Sequence, residues 1–134
     1  MGYHVVFQVN NINVAKNELE GKVEEALMKC GEVVQTRTKI NTPVDTGNLK
    51  NSFQVKMASK NTVAIGTDVE YGKYVELGTG IYAEGGGGRQ TPWTYQDRSG
   101  EWHTTRGMKA HHMLRDGVTE SIGECKTIII HTLK

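Results

Sequence analysis

Apolar residues recur at Leu19, Val23, Ala26, Cys30 and Val33, then at Arg37, whose stem covers core, and at Ile40. The steps of 4, 3, 4, 3, 4 and 3 mark one face of a helix over Val14 to Ile40. Such a helix runs about 40 Å, and its stripe must be buried against another layer, so it governs everything that follows. Asn13 or Asn17 is expected to cap it, the latter with Glu20 completing a capping box. Gly21 and Gly31 lie inside, each costing about 1 kcal/mol relative to alanine; packing of the stripe is expected to keep the helix continuous.

The run Thr42-Pro43-Val44-Asp45-Thr46-Gly47-Asn48-Leu49 ends the helical period. Pro43 lacks an N–H and drives Thr42 out of the helical region, Asp45 accepts backbone hydrogen bonds from residues just beyond it, and Gly47 permits a positive φ or close backbone approach. Pro43, Asp45 and Gly47 are therefore the expected turn and cap residues.

The rest of the chain alternates. His4 to Val9 is short, β-branched and aromatic, and reads as a strand. Phe53, Val55 and Met57 alternate with polar neighbours, as do Val63 and Ile65. Joining them through Ser59-Lys60-Asn61 sets Met57 opposite Val63 and Val55 opposite Ile65. Asp68 then precedes a two-turn helix, Tyr71 to Leu77, stopped by Gly78.

Residues 80–92, with glycine at 85–88, form the least structured region. Trp93 to Gln96 and Glu101 to Thr104 flank the turn Asp97-Arg98-Ser99-Gly100, setting Tyr95 across from Trp102. Leu114, Val118, Ile122, Cys125, Ile129 and Leu133 predict a helix from about Ala110, although Ile128-Ile129-Ile130 also suits a strand. The fold class is α+β: an antiparallel sheet packed against a long N-terminal helix and a C-terminal helix, with a protruding hairpin and glycine-rich loop. Residues 1–134 read as one domain with an insertion-like excursion at about 80–106.

A net charge of +1, with no long run of one sign, argues against a protein built to grip nucleic acid. Cys30 and Cys125, without a Cys-x-x-Cys partner, read as reduced core residues. The opening residues carry no basic segment followed by an apolar run, and no apolar stretch has membrane-spanning length, so a cytoplasmic place of assembly is expected.

Candidate chemistry is sparse. Asp45-Thr46-Gly47 matches the tripeptide of aspartic proteases, in which two aspartates share a proton; a chain of this size would have to dimerise. That tripeptide follows an apolar strand in the proteases, whereas a helix and a proline precede it here. The glycine run has no Lys-Ser/Thr after it and is no phosphate cradle. His103, His111, His112 and His131 have no carboxylate or cysteine at a ligand spacing, adjacent helical histidines diverge, and no metal is expected. Ser52, Ser99 and Ser121 have no nucleophile elbow. No catalytic residue and no cofactor site is expected.

The long helix, then Thr42 to Leu49 with Ser52, then Val63-Ala64-Ile65-Gly66-Thr67, then Tyr71 with Tyr74-Val75-Glu76-Leu77-Gly78-Thr79-Gly80, together resemble the tail-completion or head-tail joining proteins of long-tailed phages and prophages. Arg106 to Leu114 resembles the family's entry into its last helix, and the likeness covers roughly residues 12–125. The Gly85 to Thr104 excursion is longer and more aromatic than the family minimum, and His112-Met113-Leu114 stands where a Phe-Leu pair is common. The resemblance implies a non-enzymatic virion protein of the neck, in a ring of commonly six copies around the DNA path, meeting the head connector or stopper and the tail tube. It implies no specific DNA binding and no membrane. Tyr71, Tyr74, Trp93, Tyr95 and Trp102 are the expected subunit-contact residues, since aromatics are enriched in interface cores. A homodimeric protease built on Asp45 is the alternative, and a nucleic-acid-binding regulator a weaker third.

Overall fold

The computed structural model describes residues 2–8, 17–43, 47–97 and 99–133, without the side chains of 17–20. Strand β1, Tyr3–Gln8, is followed by helix α1, Asn17–Asn41, and a single helical turn α2, Gly47–Lys50. Strands β2, Gln54–Ser59, and β3, Thr62–Thr67, form a hairpin, and helix α3 spans Gly72–Leu77. Two 3-10 turns, Gly80–Tyr82 and Glu84–Gly86, lead to strands β4, Trp93–Gln96, and β5, Trp102–Thr105; helix α4, Met113–Leu133, follows. The α+β architecture is the one the sequence predicts.

The three-stranded sheet has the order β1-β3-β2 and is antiparallel throughout. Met57 pairs with Val63 and Val55 with Ile65, as predicted, and a bulge between Met57 and Ser59 leads into the turn. Val63 and Ile65 on the central strand are fully buried. With Val5, Phe7, Val55 and Met57 they form the inner face on which α1 lies. Gly31 lets the helix come that close, because a Cβ there would lie 2.4 Å from Val55 Cγ1 and 3.2 Å from Val63 Cγ2.

Helix α1 is continuous through Gly21 and Gly31, but its buried face departs from the predicted one. Val23, Leu27, Cys30, Val34 and Thr38 are buried, whereas Val33 is half-buried and Ile40 is 73% exposed. A strict alternation of fours and threes averages 3.5 residues per turn and drifts about 20° per heptad across a straight helix. Over this length the drift carries Ile40 off the core and brings Thr38 onto it. Leu19 and the Asn13 and Asn17 caps lie outside the described side chains.

Helix α4 packs principally along α1. The facing pairs Cys30/Cys125, Arg37/Glu124 and Asn41/Glu120 run in opposite sequence directions, so the two helices are antiparallel. Cys30 Sγ donates to Cys125 O at 3.6 Å and Cys125 Sγ to Cys30 O at 3.8 Å; both thiols are free and buried. Burial, with the hydrogen bond to Cys125 adding to it, pushes the Cys30 thiol up to about 12. Nearer the other end, Gly117 meets Thr38: a Cβ on the glycine would stand 2.5 Å from Thr38 Oγ1 and 3.1 Å from Thr38 N. The predicted α4 face holds at Leu114 and Cys125, but Ile122 is 44% exposed while Gly117 and Ser121 are buried. Residues 128–130 are helical, which removes the strand alternative.

Gly21 and Gly123 are exposed, with nothing near an added Cβ. Alanine at either is expected to raise stability by about 1 kcal/mol through helix propensity alone, read as a higher urea midpoint at unchanged slope. Gly31→Ala, made beside them, is expected to lower it.

At the junction, α1 ends at Asn41 just before Pro43, as predicted, with Thr42 Oγ1 donating to Thr38 O at 2.6 Å. Asp45 lies outside the described residues. Gly47 opens α2. Leu49, fully buried, and Ser52 Oγ, 2.6 Å from both Leu49 O and Thr67 Oγ1, fix α2 to the body.

Candidate interaction surface

Helix α3 carries the residue on which the surrounding surface depends. The N-cap position of α3 is Tyr71, with no side-chain cap bond, and the chain turns out at Gly78 with φ 84°. Within α3, Glu76 is fully buried. Its Oε1 accepts the Leu114 N–H at 2.7 Å and its Oε2 the Arg115 N–H at 3.0 Å. Those amides belong to the first turn of α4, where intrahelical acceptors are missing and the helix dipole favours negative charge. Backbone bonds complete the joint, from His111 N–H to Val75 O at 2.9 Å and from His112 N–H to Glu76 O at 3.2 Å. The positive φ of His112, 48°, turns the chain into the helix.

Beyond Gly78 the chain leaves the body and returns through one narrow neck. Thr79 N–H donates to Met108 O at 2.9 Å, Ile81 N–H to Arg106 O at 3.0 Å, and Met108 N–H to Thr79 Oγ1 at 2.8 Å. Gly80 and Gly107 pass so closely that a Cβ on either would lie about 2 Å from the other strand's carbonyl oxygen, at 1.9 and 2.1 Å. The excursion is more ordered than its glycine content suggests, because Glu84 anchors it. Arg115 donates to Glu84 at 2.9 and 2.6 Å, His112 Nε2 lies 3.2 Å from Glu84 Oε1, and the hydrogen bond from Arg115 holds the Glu84 carboxyl below its usual range.

Between α3 and this anchored loop lies a groove of about 440 Å³. Tyr74, Leu77, Ala83 and Trp93 form its walls, with Lys73 and Arg89 beside them. Lys73 Nζ lies 5.7 Å from the Tyr74 ring and the Arg89 guanidinium 5.6 Å from the Trp93 ring.

Strands β4 and β5 form a hairpin without extensive packing on the body. Its register differs by one residue from the predicted one: Tyr95 faces His103, and Trp102 faces Gln96. The turn, with Gly100 at φ 89°, is one residue longer because Glu101 belongs to it. Asp97 Oδ1 accepts Ser99 N–H at 2.9 Å, Ser99 Oγ at 2.6 Å and Glu101 N–H at 2.9 Å, while Oδ2 lies 2.7 Å from His103 Nε2. These bonds, the Ser99 hydroxyl foremost, hold the Asp97 carboxyl well below its ordinary range. A carboxyl depressed in the folded state supports the turn above its ordinary value of 3.8 and loses that support as pH falls through the folded value. Acidification below 3.8 is therefore expected to weaken the Tyr95–His103 cross-strand NMR contacts progressively while α1 and α4 amides stay protected. Hairpin contacts that survive full protonation of Asp97 would refute this.

The five predicted contact aromatics divide into groups. Tyr74 and Trp93 line the groove, while Tyr71 lies on the neighbouring turn, 37% exposed. Tyr95 stacks on His103 with centroids 5.3 Å apart, and Trp102, on the opposite hairpin face, is 67% exposed. The view that the histidines lack nearby carboxylates fails at His103, since Asp97, Glu101 and His103 present ligand atoms within 4.8 Å of one another. The hairpin register creates that proximity. His111 and His112 precede α4 rather than lying on it. The sequence reading assigned Glu76 no role, although it stood in the quoted Tyr74 to Gly80 motif; its signal was an acidic residue framed by Val75 and Leu77.

The α+β body carries an aromatic groove and a projecting hairpin beside the α3 junction. A family model described as "Bacteriophage HK97-gp10, putative tail-component" matches residues 9–78, just over half of the 134. The chain belongs to this HK97-gp10-like family of phage tail components. No curated protein and no solved structure matches it. The matched region ends at Gly78, so the groove's far wall, the hairpin and α4 all lie beyond it. Among the described residues, no helix is long and apolar enough to cross a membrane.

Proposed function

We propose that the protein is a non-enzymatic tail-completion or head-tail joining subunit. It acts as a single domain and assembles at the virion neck as a ring, six copies being the expected number. The ring joins the head connector or stopper to the tail tube and surrounds the DNA path without reading sequence, in keeping with a net charge of +1. Assembly takes place in the host cytoplasm.

The observation that carries this reading, beside the family, is the hairpin. A two-stranded hairpin is at best marginally stable alone in water, and this one leaves Trp102 67% exposed, so it needs a second surface to rest on. Tyr71, Tyr74, Trp93, Tyr95 and Trp102 are the proposed contact residues.

Light scattering on the purified chain, together with electron microscopy of assembled particles, tests the ring. Trp102→Ala is expected to leave the fold intact by circular dichroism and to reduce incorporation into particles; undiminished incorporation would remove the hairpin from the contact. Asp45→Asn is expected to leave incorporation unchanged. An Asp45-dependent peptidase activity in a dimer would replace this reading with the protease.

A further inference from the structure

The groove beside α3 has two fixed walls. One is α3 itself, with Lys73, Tyr74 and Leu77, and the other is the excursion, with Ala83, Arg89 and Trp93. Glu84, between them in sequence, is pinned to α4 by Arg115 at 2.6 Å. Gly88 returns so close to the start of the excursion that a Cβ on it would stand 2.1 Å from Gly80 O and 2.7 Å from Ala83 Cβ. The resulting cleft of about 440 Å³ falls in the size range of ligand pockets, and walls that are already ordered spare a ligand the cost of ordering them.

The charge in this cleft is one-sided. Glu84, the carboxylate among its lining residues, is already engaged by Arg115 and His112. Lys73 and Arg89 form no ion pair among the described residues. They stand one on each wall, Lys73 Nζ 5.7 Å from the Tyr74 ring and the Arg89 guanidinium 5.6 Å from the Trp93 ring. Arg89 is held in place as well, its Nε donating to Thr91 Oγ1 at 3.1 Å and its Nη2 to Pro92 O at 3.4 Å. We propose that the groove takes an acidic, extended segment of a different virion protein. A large apolar side chain of that segment enters between Tyr74 and Trp93, and the carboxylates flanking it meet Lys73 and Arg89.

The neck reading above supplies only the source of the segment, a neighbouring virion protein; the preference for its chemistry comes from the groove. The chain's own hairpin does not provide that charge, because Asp97 is committed to its turn through Ser99, the Glu101 N–H and His103. A single nucleic-acid strand would also stack on aromatic rings, but it needs a groove of cations tracking its backbone. Two cations, in a chain of net charge +1, do not make one. Tyr74 and Trp93 are thereby assigned to a partner of another kind than a second copy.

The test titrates the purified full chain with the end-blocked peptide Gly-Glu-Asp-Phe-Asp-Glu-Gly, followed by NMR. Shifts are expected at Leu77, Ala83 and the Trp93 indole, and none at Trp102. Replacing the phenylalanine by glycine, or the acids by lysine, is expected to weaken binding by about tenfold in each case. Lys73→Glu/Arg89→Glu changes two exposed side chains; it is expected to keep the fold by circular dichroism, to lose the acidic peptide and to prefer the lysine one. Gly88→Ala is expected to displace the loop and abolish binding, whereas Gly87→Ala, with nothing within 4 Å, should bind as wild type. Equal affinity for the acidic and lysine peptides, shifts away from the groove, or tighter binding of a single-stranded oligothymidylate would overturn the proposal. Self-association of the wild type that Lys73→Glu/Arg89→Glu abolishes in light scattering would give the groove to a second copy and overturn it too. A chain that reaches the neck as a ring yet binds no acidic peptide defeats this inference alone; a neck without the chain defeats the proposed function, whatever the peptide does.

Discussion

Replacing Glu76 by alanine is expected to lower the stability of the protein by about 3–4 kcal/mol, the sum of two amides losing their acceptor and of a lost charge at a helix N-terminus. Glu76 is fully buried; its bond to the Leu114 N–H at 2.7 Å is buried and that to the Arg115 N–H at 3.0 Å part-buried, so the Leu114 amide is the costlier one to leave without an acceptor. For a chain of this size the melting temperature should fall by on the order of 10 °C. Glu76→Gln keeps one acceptor oxygen but points an NH₂ at a second N–H, so its loss should lie between those of wild type and alanine. Urea unfolding checks both; an alanine variant within about 0.5 kcal/mol of wild type, the scatter of ordinary surface changes, would show that α4 is held without this cap. Because α3 also forms one wall of the groove, hydrogen exchange at residues 72–78 is expected to accelerate in Glu76→Ala, which links the cap to the groove.

Gly117→Leu is expected to cost about 3 kcal/mol, at the upper end of overpacking penalties, despite a gain in helix propensity of nearly 1 kcal/mol. The obstruction at Gly117 includes the Thr38 backbone nitrogen at 3.1 Å and Cα at 3.3 Å, which no rotamer change can move aside. Relief requires α1 and α4 to separate, which would loosen Leu114 and Cys125 as well. Gly123→Leu, further along the same helix with nothing within 4 Å, serves as control and should be neutral or stabilising. Equal stability of the two variants by denaturant unfolding would contradict the close crossing.

How far each element was legible depends on the range of the interactions that fix it. The β2–β3 register was readable because Val55, Met57, Val63 and Ile65 must all fall on one face, and a slip of one residue would expose every one of them. The β4–β5 register was not: with neither face buried, its sequence carries little penalty for a slip, and the hydrogen bonds around Asp97 and Gly100 decided the turn length. The face of α1 was legible near Val23 and Cys30 but lost at Ile40, where small errors of period accumulate along the helix.

The sequence by itself determined the element types, the position of the helix end before Pro43, the stop at Gly78 and the main hairpin, since each follows from local sterics or from the period of its apolar residues. Only the tertiary structure decided that Glu76 caps a helix beginning nearly forty residues later, that Gly31 and Gly117 are contact points while Gly21 and Gly123 are not, and that Asp97 gathers Glu101 and His103. A carboxylate or a glycine looks alike in sequence whether it faces solvent or another backbone; its role is set by what the fold brings to within hydrogen-bond or van der Waals distance.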